Sequence, residues 1–457
     1  MKRRTYLTTA SVTATIALAG CAGGSIVDGD EENVDDESND TDGEDDVDEE
    51  TEETEETEET EETEEENTDE DEGEDEDEDE ETDGESEQPE VAATFDDFED
   101  LDAWEAVAGT LEADGERASV GSQSARLTAS ESESQVRIKR ELSDPIDVRE
   151  VVPGLALATS SSASPIIQLH DEDGNYLQFQ QFVHEGRPFN RLDFGHTDIS
   201  GDPDLSAITE VQIGLWTGEE HEGEIWVDDL HFTSRVEEGR VMIQFQGGFE
   251  SDYTRAFPIM EEYDLTGTTF VATSRIRESE DVTGDRMTED QLAELVDAGW
   301  SIGTVGAHQR QLNDVESDGF ESHILDPLEW FDEQGYDDAR YFGFPGGWYT
   351  PEMYDLVAEN YDIAWAGRHM SQGVATNPYN LTRISGHVGQ RNLDAEEMIA
   401  ALDWTAERGG ITTIVFYEMD ESDAAALEET AAHLAELRAA GDLELITPNE
   451  IADEYVL

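Results

Sequence analysis

The chain has 457 residues, with 118 Asp and Glu against 24 Lys and Arg, a formal charge of −94. That balance excludes a nucleic-acid binder, because a phosphate backbone selects for clustered Lys and Arg. The single cysteine, Cys21, excludes an internal disulfide and a Cys-based zinc site, so any metal would be held by His, Asp or Glu.

The acid falls into two populations. Residues 28–90 hold 42 acidic side chains and no Lys or Arg, while residues 91–457 still carry 76 acids against 21 bases. An acidic tail cannot account for the second surplus, but adaptation to concentrated salt can: at 1 M the Debye length is about 3 Å and self-repulsion is screened. The bases are skewed as well, with 22 Arg and only Lys2 and Lys139. This bias resembles that of proteins from salt-loving archaea and predicts poor folding at low salt.

The chain opens MKRRTYLTTASVTATIALAGC, a basic start with paired Arg3 and Arg4, a short apolar run and then Leu18-Ala19-Gly20-Cys21. It resembles a twin-arginine lipoprotein signal, which implies cleavage before Cys21, a lipid on its thiol and a location on the outer face of the cell membrane. The apolar run is shorter than the roughly 20 residues a spanning helix needs. Residues 22–92 follow as a linker that includes TEETEETEETEETEEE. Such sequence buries too little apolar surface to offset the entropy of ordering, and its like charges keep it extended. Asn39 and Asn380 head Asn-X-Thr sequons.

Residues 93–236 consist of short alternating runs, among them SARLTAS, QVRIKREL, PIIQLHD, YLQFQQFVH, EVQIGLW and EIWVDDLHF, separated by turn residues. Strands at this spacing predict an antiparallel sandwich. The phrases FDDFEDLDAW, VGSQSARL and EIWVDDLHF resemble jelly-roll modules of the carbohydrate-binding, galactose-binding-like type. The resemblance implies a structural calcium, for which Glu99, Asp228 and Asp229 are the candidates.

From residue 238 to 457 the pattern becomes strand then helix, repeated, with strands expected at 241–246, 267–273, 300–305, 339–344, 361–366, 380–385 and 411–417. Amphipathic helices are expected at 288–299, 351–361, 394–409 and 421–441. Alternation with buried strands predicts a parallel α/β barrel whose function sits at the C-terminal strand ends. The stretches GGFESDYTRAFPIMEEYDLTGTTFV, LVDAGWSIGTVGAH, FGFPGGWYTPEMYDLVAENYDIAWAG and LELITPNEIADEY resemble the polysaccharide deacetylase (NodB-homology) family. That resemblance implies a distorted (β/α)7 barrel that removes acetyl groups from polysaccharide with a divalent metal.

The residues that carry the chemistry depart from the family pattern. At its T-F-D-D-G motif, which supplies the base and a metal ligand, this chain reads Phe245-Gln246-Gly247, and neither residue can replace a carboxylate. The two metal-binding His positions carry Val305 and Gln309, with His308 one residue out of step, and the general-acid His is replaced by Tyr417. The R-x-P-x-G motif reads Gly343-Phe344-Pro345-Gly346-Gly347. No cofactor is therefore expected in the barrel, and a zinc-like divalent metal only if a relocated site exists, for which His308, Glu250, His387, Tyr417 and Glu418 are candidates. The expected function is non-catalytic glycan binding at the cell surface, with Trp348, Trp365, Tyr417, Glu418 and His308 as substrate contacts. The alternatives are an active deacetylase with a relocated metal site, and a structural envelope protein.

Overall fold

The computed structural model describes residues 88–187, 189–218, 221–310, 319–336, 339–369, 371–385 and 394–457. The signal, Cys21 and nearly all of the linker lie outside the described residues, as does His387. No helix among the described residues is long and apolar enough to cross a membrane.

The first strands are β1 (Thr94–Asp96), β2 (Glu105–Ala108), β3 (Thr110–Asp114), β4 (Ser124–Ala129), β5 (Gln135–Ile146) and β6 (Val151–Thr159). They are followed by β7 (Ile166–Asp171), β8 (Tyr176–Gln180), β9 (Asn190–Asp193), β10 (Gly195–Ser200), β11 (Ile208–Trp216) and β12 (Gly223–Ser234). They form two antiparallel sheets, one ordered β3-β4-β12-β6-β9 with β1 also on β12, the other β10-β8-β7-β11-β5-β2. The alternation read in the sequence has its physical cause here. Ala125 and Leu127 of β4, Val136 and Ile138 of β5, Ile213 of β11 and Ile225 of β12 share one buried core between the sheets.

Nine further strands form one parallel sheet: β13 (Gly239–Gly247), β14 (Thr268–Val271), β15 (Ser301–Thr304), β16 (Tyr341–Gly343), β17 (Ile363–Gly367), β18 (Leu381–Thr382), β19 (Ile384–Ser385), β20 (Ile411–Phe416) and β21 (Leu443–Leu445). The order is β18-β17-β16-β15-β14-β13-β20-β19, with β21 on β13. The two edge strands are neighbours in the chain, separated by Arg383 alone, so the sheet curls into a nearly closed barrel. The single strand expected at 380–385 is thus split, its first half pairing with β17 and its second with β20.

Helices α1 (Phe257–Glu262), α2 (Glu289–Asp297), α3 (Phe320–Gln334), α4 (Pro351–Asn360), α5 (Ala395–Arg408), α6 (Glu421–Ala440) and α7 (Pro448–Glu454) cover the sheet. Capping boxes at Thr288, Asp394, Asp420 and Thr447 start four of them, each satisfying backbone N–H groups that the first turn leaves open. On β13, Ile243 and Phe245 face the layer beneath the helices, while Met242 joins Phe270, Val305, Tyr341 and Trp365 in a second cluster. That period of two is what one strand of a barrel requires, one face inward and one toward the helices.

Candidate functional site at the barrel mouth

Strand β13 delivers the first motif to its C-terminal end. Gln246 is 3% exposed, and among the described residues its Oε1 accepts no hydrogen bond. Gly247 has φ of 121°, and a Cβ there would lie 2.4 Å from the Phe249 ring and 2.9 Å from Gln309 Oε1. The backbone conformation and the space both demand glycine, so no ligand side chain fits at this position.

At the next strand end, Val305 is fully buried in the barrel cluster. Gln309 adopts φ of 56°, and its Oε1 accepts a hydrogen bond from Arg286 Nη2 at 3.0 Å. The Arg286 guanidinium lies 3.5 Å over the Phe249 ring, and Nη1 pairs with Asp285 at 2.6 Å. A fixed guanidinium therefore stands beside two of the positions at which the resemblance implies metal ligands. These residues do not fit a divalent cation: two offer no donor atom, the third offers an amide oxygen already engaged, and the neighbouring positive charge opposes a second one. Among the described residues, no three His, Cys, Asp or Glu side chains group as they would around a metal ion.

Behind this corner a π-helical turn, Asp252–Ala256, precedes α1 and carries Asp252 into the interior. Asp252 is fully buried, and among the described residues no well-formed hydrogen bond reaches either of its oxygens. Burial pushes its pKa well above the usual carboxylate range; Arg286 opposes that shift and Glu418 adds to it. On the far side Arg383, between the edge strands, donates to Phe344 O at 3.0 Å and reaches Gln244 Oε1 at 3.5 Å. Neither Asp252 nor Arg383 belongs to a motif, and one carboxylate among 76 carries no signal in the sequence.

The remaining candidates disperse. Trp365 is 0% exposed and packs edge-on against Phe270 at 5.4 Å, so it is interior packing and not a sugar contact. Glu250 is paired with Arg277 at 2.8 Å, which removes it as a free base or ligand. His308 is exposed, with its ring 5.8 Å from that of His323. Tyr417 is half-buried immediately after β20, and Glu418 beside it is exposed. Trp348 is half-buried and stacks on His184 of the sandwich at 3.9 Å.

The calcium candidates are likewise taken up by protein donors. Glu99 accepts from Ser122 N, Ser122 Oγ and Gln123 N. Asp228 accepts from Ser119 N and Val120 N, while Asp229 is paired with Arg191 and accepts from Thr94 Oγ1. A bulge in β12 between Asp228 and His231 gives the two adjacent carboxylates different partners, and among the described residues no three His, Cys, Asp or Glu side chains group around Glu99. The Asn380 sequon is also spent on structure, for Asn380 is 3% exposed and its Oδ1 accepts from Arg187.

The family model for polysaccharide deacetylase matches residues 233–363, which run from the end of β12 to the first residue of β17. This stretch resembles a polysaccharide deacetylase domain. The chain is similar to a Bacillus subtilis (strain 168) protein named "Putative polysaccharide deacetylase YxkH", at 25% identity over 146 residues, 32% of this chain and 48% of that protein. The chain thus spans about half the length of that curated relative. Among solved structures, the Streptococcus pyogenes deacetylase PplD in complex with acetate matches at 21% identity and TM-score 0.28, over 31% of this chain and 62% of that one. The family 4 carbohydrate esterase from Streptomyces lividans in complex with acetate matches at 14% identity and TM-score 0.34, over 46% and 94%.

Proposed function

We propose that this protein is an exported surface lipoprotein whose deacetylase domain holds polysaccharide without hydrolysing it. The observation that carries the reading is the Arg286–Gln309 pair beside Gly247: a guanidinium stands where the family reaction needs a cation and a base. Metal-bound water supplies the nucleophile in that chemistry, so one altered corner removes both the nucleophile and its activation. A jelly-roll reading of the sandwich, a lipid on Cys21 and adaptation to high salt belong to the same proposal, and they rest on the sequence features described above.

The direct test is acetate release from N- and O-acetylated polysaccharides in molar salt, with zinc or cobalt supplied. The expected result is no release above a buffer control, together with retention of the protein on an immobilised glycan. A second reading, a relocated hydrolytic centre, draws on the buried acid Asp252 near Glu418. Metal-stimulated release that disappears in Glu418→Gln or His308→Ala would establish that reading and overturn the first.

A further inference from the structure

Sandwich and barrel enclose a cleft of about 730 Å³, lined by Arg117, Ser160, Glu185 and Arg187 on one side and Trp348 on the other. It adjoins the Gly343–Gly347 turn, which Trp348 directly follows, and its size is that of a small-ligand site. We propose that this cleft binds an anionic saccharide, with Trp348 as the stacking platform and Arg117 and Arg187 as its cationic wall. The proposal rests on the glycan reading above and gives it a place and a ligand class.

The charges are the first argument. Residues 91–457 carry 76 acids for 21 bases, yet the cleft holds two arginines with no salt bridge among the described residues. Arg187 is 6% exposed, and its guanidinium donates to Gly347 O, Ala366 O and Asn380 Oδ1 and lies 4.5 Å from the Tyr349 ring. All of these partners are neutral, and among the described residues Nε has none. A buried cation without a counter-ion is costly, and a bound anion relieves that cost. Arg117 is exposed and lies 3.9 Å over the Trp226 ring. The nearby Asp114 carboxylate accepts from the Trp226 indole N–H and from Glu116 N and interacts with Arg117 only at longer range, so Arg117 makes no salt bridge among the described residues. Glu185 is exposed and is the one carboxylate lining the cleft, an acceptor for sugar hydroxyls.

Preorganisation of the aromatic platform is the second argument. His184 Nε2 donates to Gly346 O at 3.0 Å, and its ring stacks on Trp348. Burial and the neighbouring Arg187 lower the His184 pKa to about 3, so the stacked ring is neutral. The indole is thus fixed from the sandwich side, and its uncovered part lines the cleft. An aromatic face flanked by guanidinium groups matches a sugar ring that carries carboxylate or sulfate.

The experiment is calorimetric titration of the full-length protein in molar potassium chloride with an oligoglucuronate, a sulfated oligosaccharide and a neutral cello-oligosaccharide of equal length. At least one acidic probe is expected to bind about tenfold or more tighter than the neutral one. Arg117→Gln and Trp348→Ala should each weaken it by about tenfold, whereas Tyr417→Phe at the barrel mouth should not. Arg117 is exposed, so its variant keeps the test decisive if Trp348→Ala fails to fold. Equal binding of neutral and acidic probes, or binding lost in Tyr417→Phe and intact in Arg117→Gln, would overturn the cleft and leave glycan binding standing. If no oligosaccharide binds and the immobilised glycan also fails to retain the protein, both readings fall.

Discussion

Asp252 is the residue whose burial has the most direct thermodynamic consequence. Its pKa is raised in the folded state, so the folded protein holds a proton that the unfolded chain releases near pH 4. Stability contributed by this group is therefore full below about pH 4 and is lost as pH rises toward the folded pKa. Asp252→Asn removes the titration while keeping the shape. Denaturant titrations between pH 4 and 8 in high salt should show the variant gaining on the wild type as pH rises, and parallel profiles would contradict the assignment. The replacement of the motif residues was legible in the sequence, because Gln246, Gly247, Val305, Gln309 and Tyr417 stand at positions a motif defines. Asp252 and Arg286 were not, since a π-turn and a long loop deliver them and neither follows a periodic pattern.

At the scale of elements, the Pro345–Gly347 turn shows how the barrel is built around the sandwich. Gly347 has φ of 75°, and a Cβ there would lie 2.7 Å from Ala366 O, 3.4 Å from Arg187 Nη2 and 3.5 Å from His184 Nε2. Gly347→Ala should cost about 1–3 kcal/mol and lower the melting temperature, because it combines a left-handed backbone with a collision against a carbonyl. An unchanged melting temperature would mean that the loop moves freely and does not fix Trp348. Helices were legible at 288–299, 394–409 and 421–441, where α2, α5 and α6 form. Helix α3 was not: Pro327 interrupts it, and its N-cap is Gly319 with no side-chain bond. The split of β18 from β19 also escaped the sequence, because Arg383 faces the barrel while its neighbours complete two different pairings.

Across the whole molecule, residues 86–457 belong to one compact unit in which polar contacts join sandwich and barrel. Asp193 of β9 is the main junction: its carboxylate accepts from Thr376 N, Thr376 Oγ1 and Asn377 N. Asp193→Ala leaves buried N–H groups without acceptors, at about 1–3 kcal/mol for each one. Calorimetry should resolve one transition in the wild type and two in the variant, and a single transition in both would show that the apolar cores alone couple the two parts. The same unit carries the claim on which the functional account turns, that a guanidinium has replaced the cation at the barrel mouth. Anomalous diffraction at the cobalt edge, from a crystal soaked in cobalt at high salt, tests it most directly. The account predicts no cobalt peak within coordinating distance of Gln246, Gly247 and Gln309, with Arg286 still bonded to Gln309; a peak there, with Arg286 displaced and three protein ligands around it, would contradict the account.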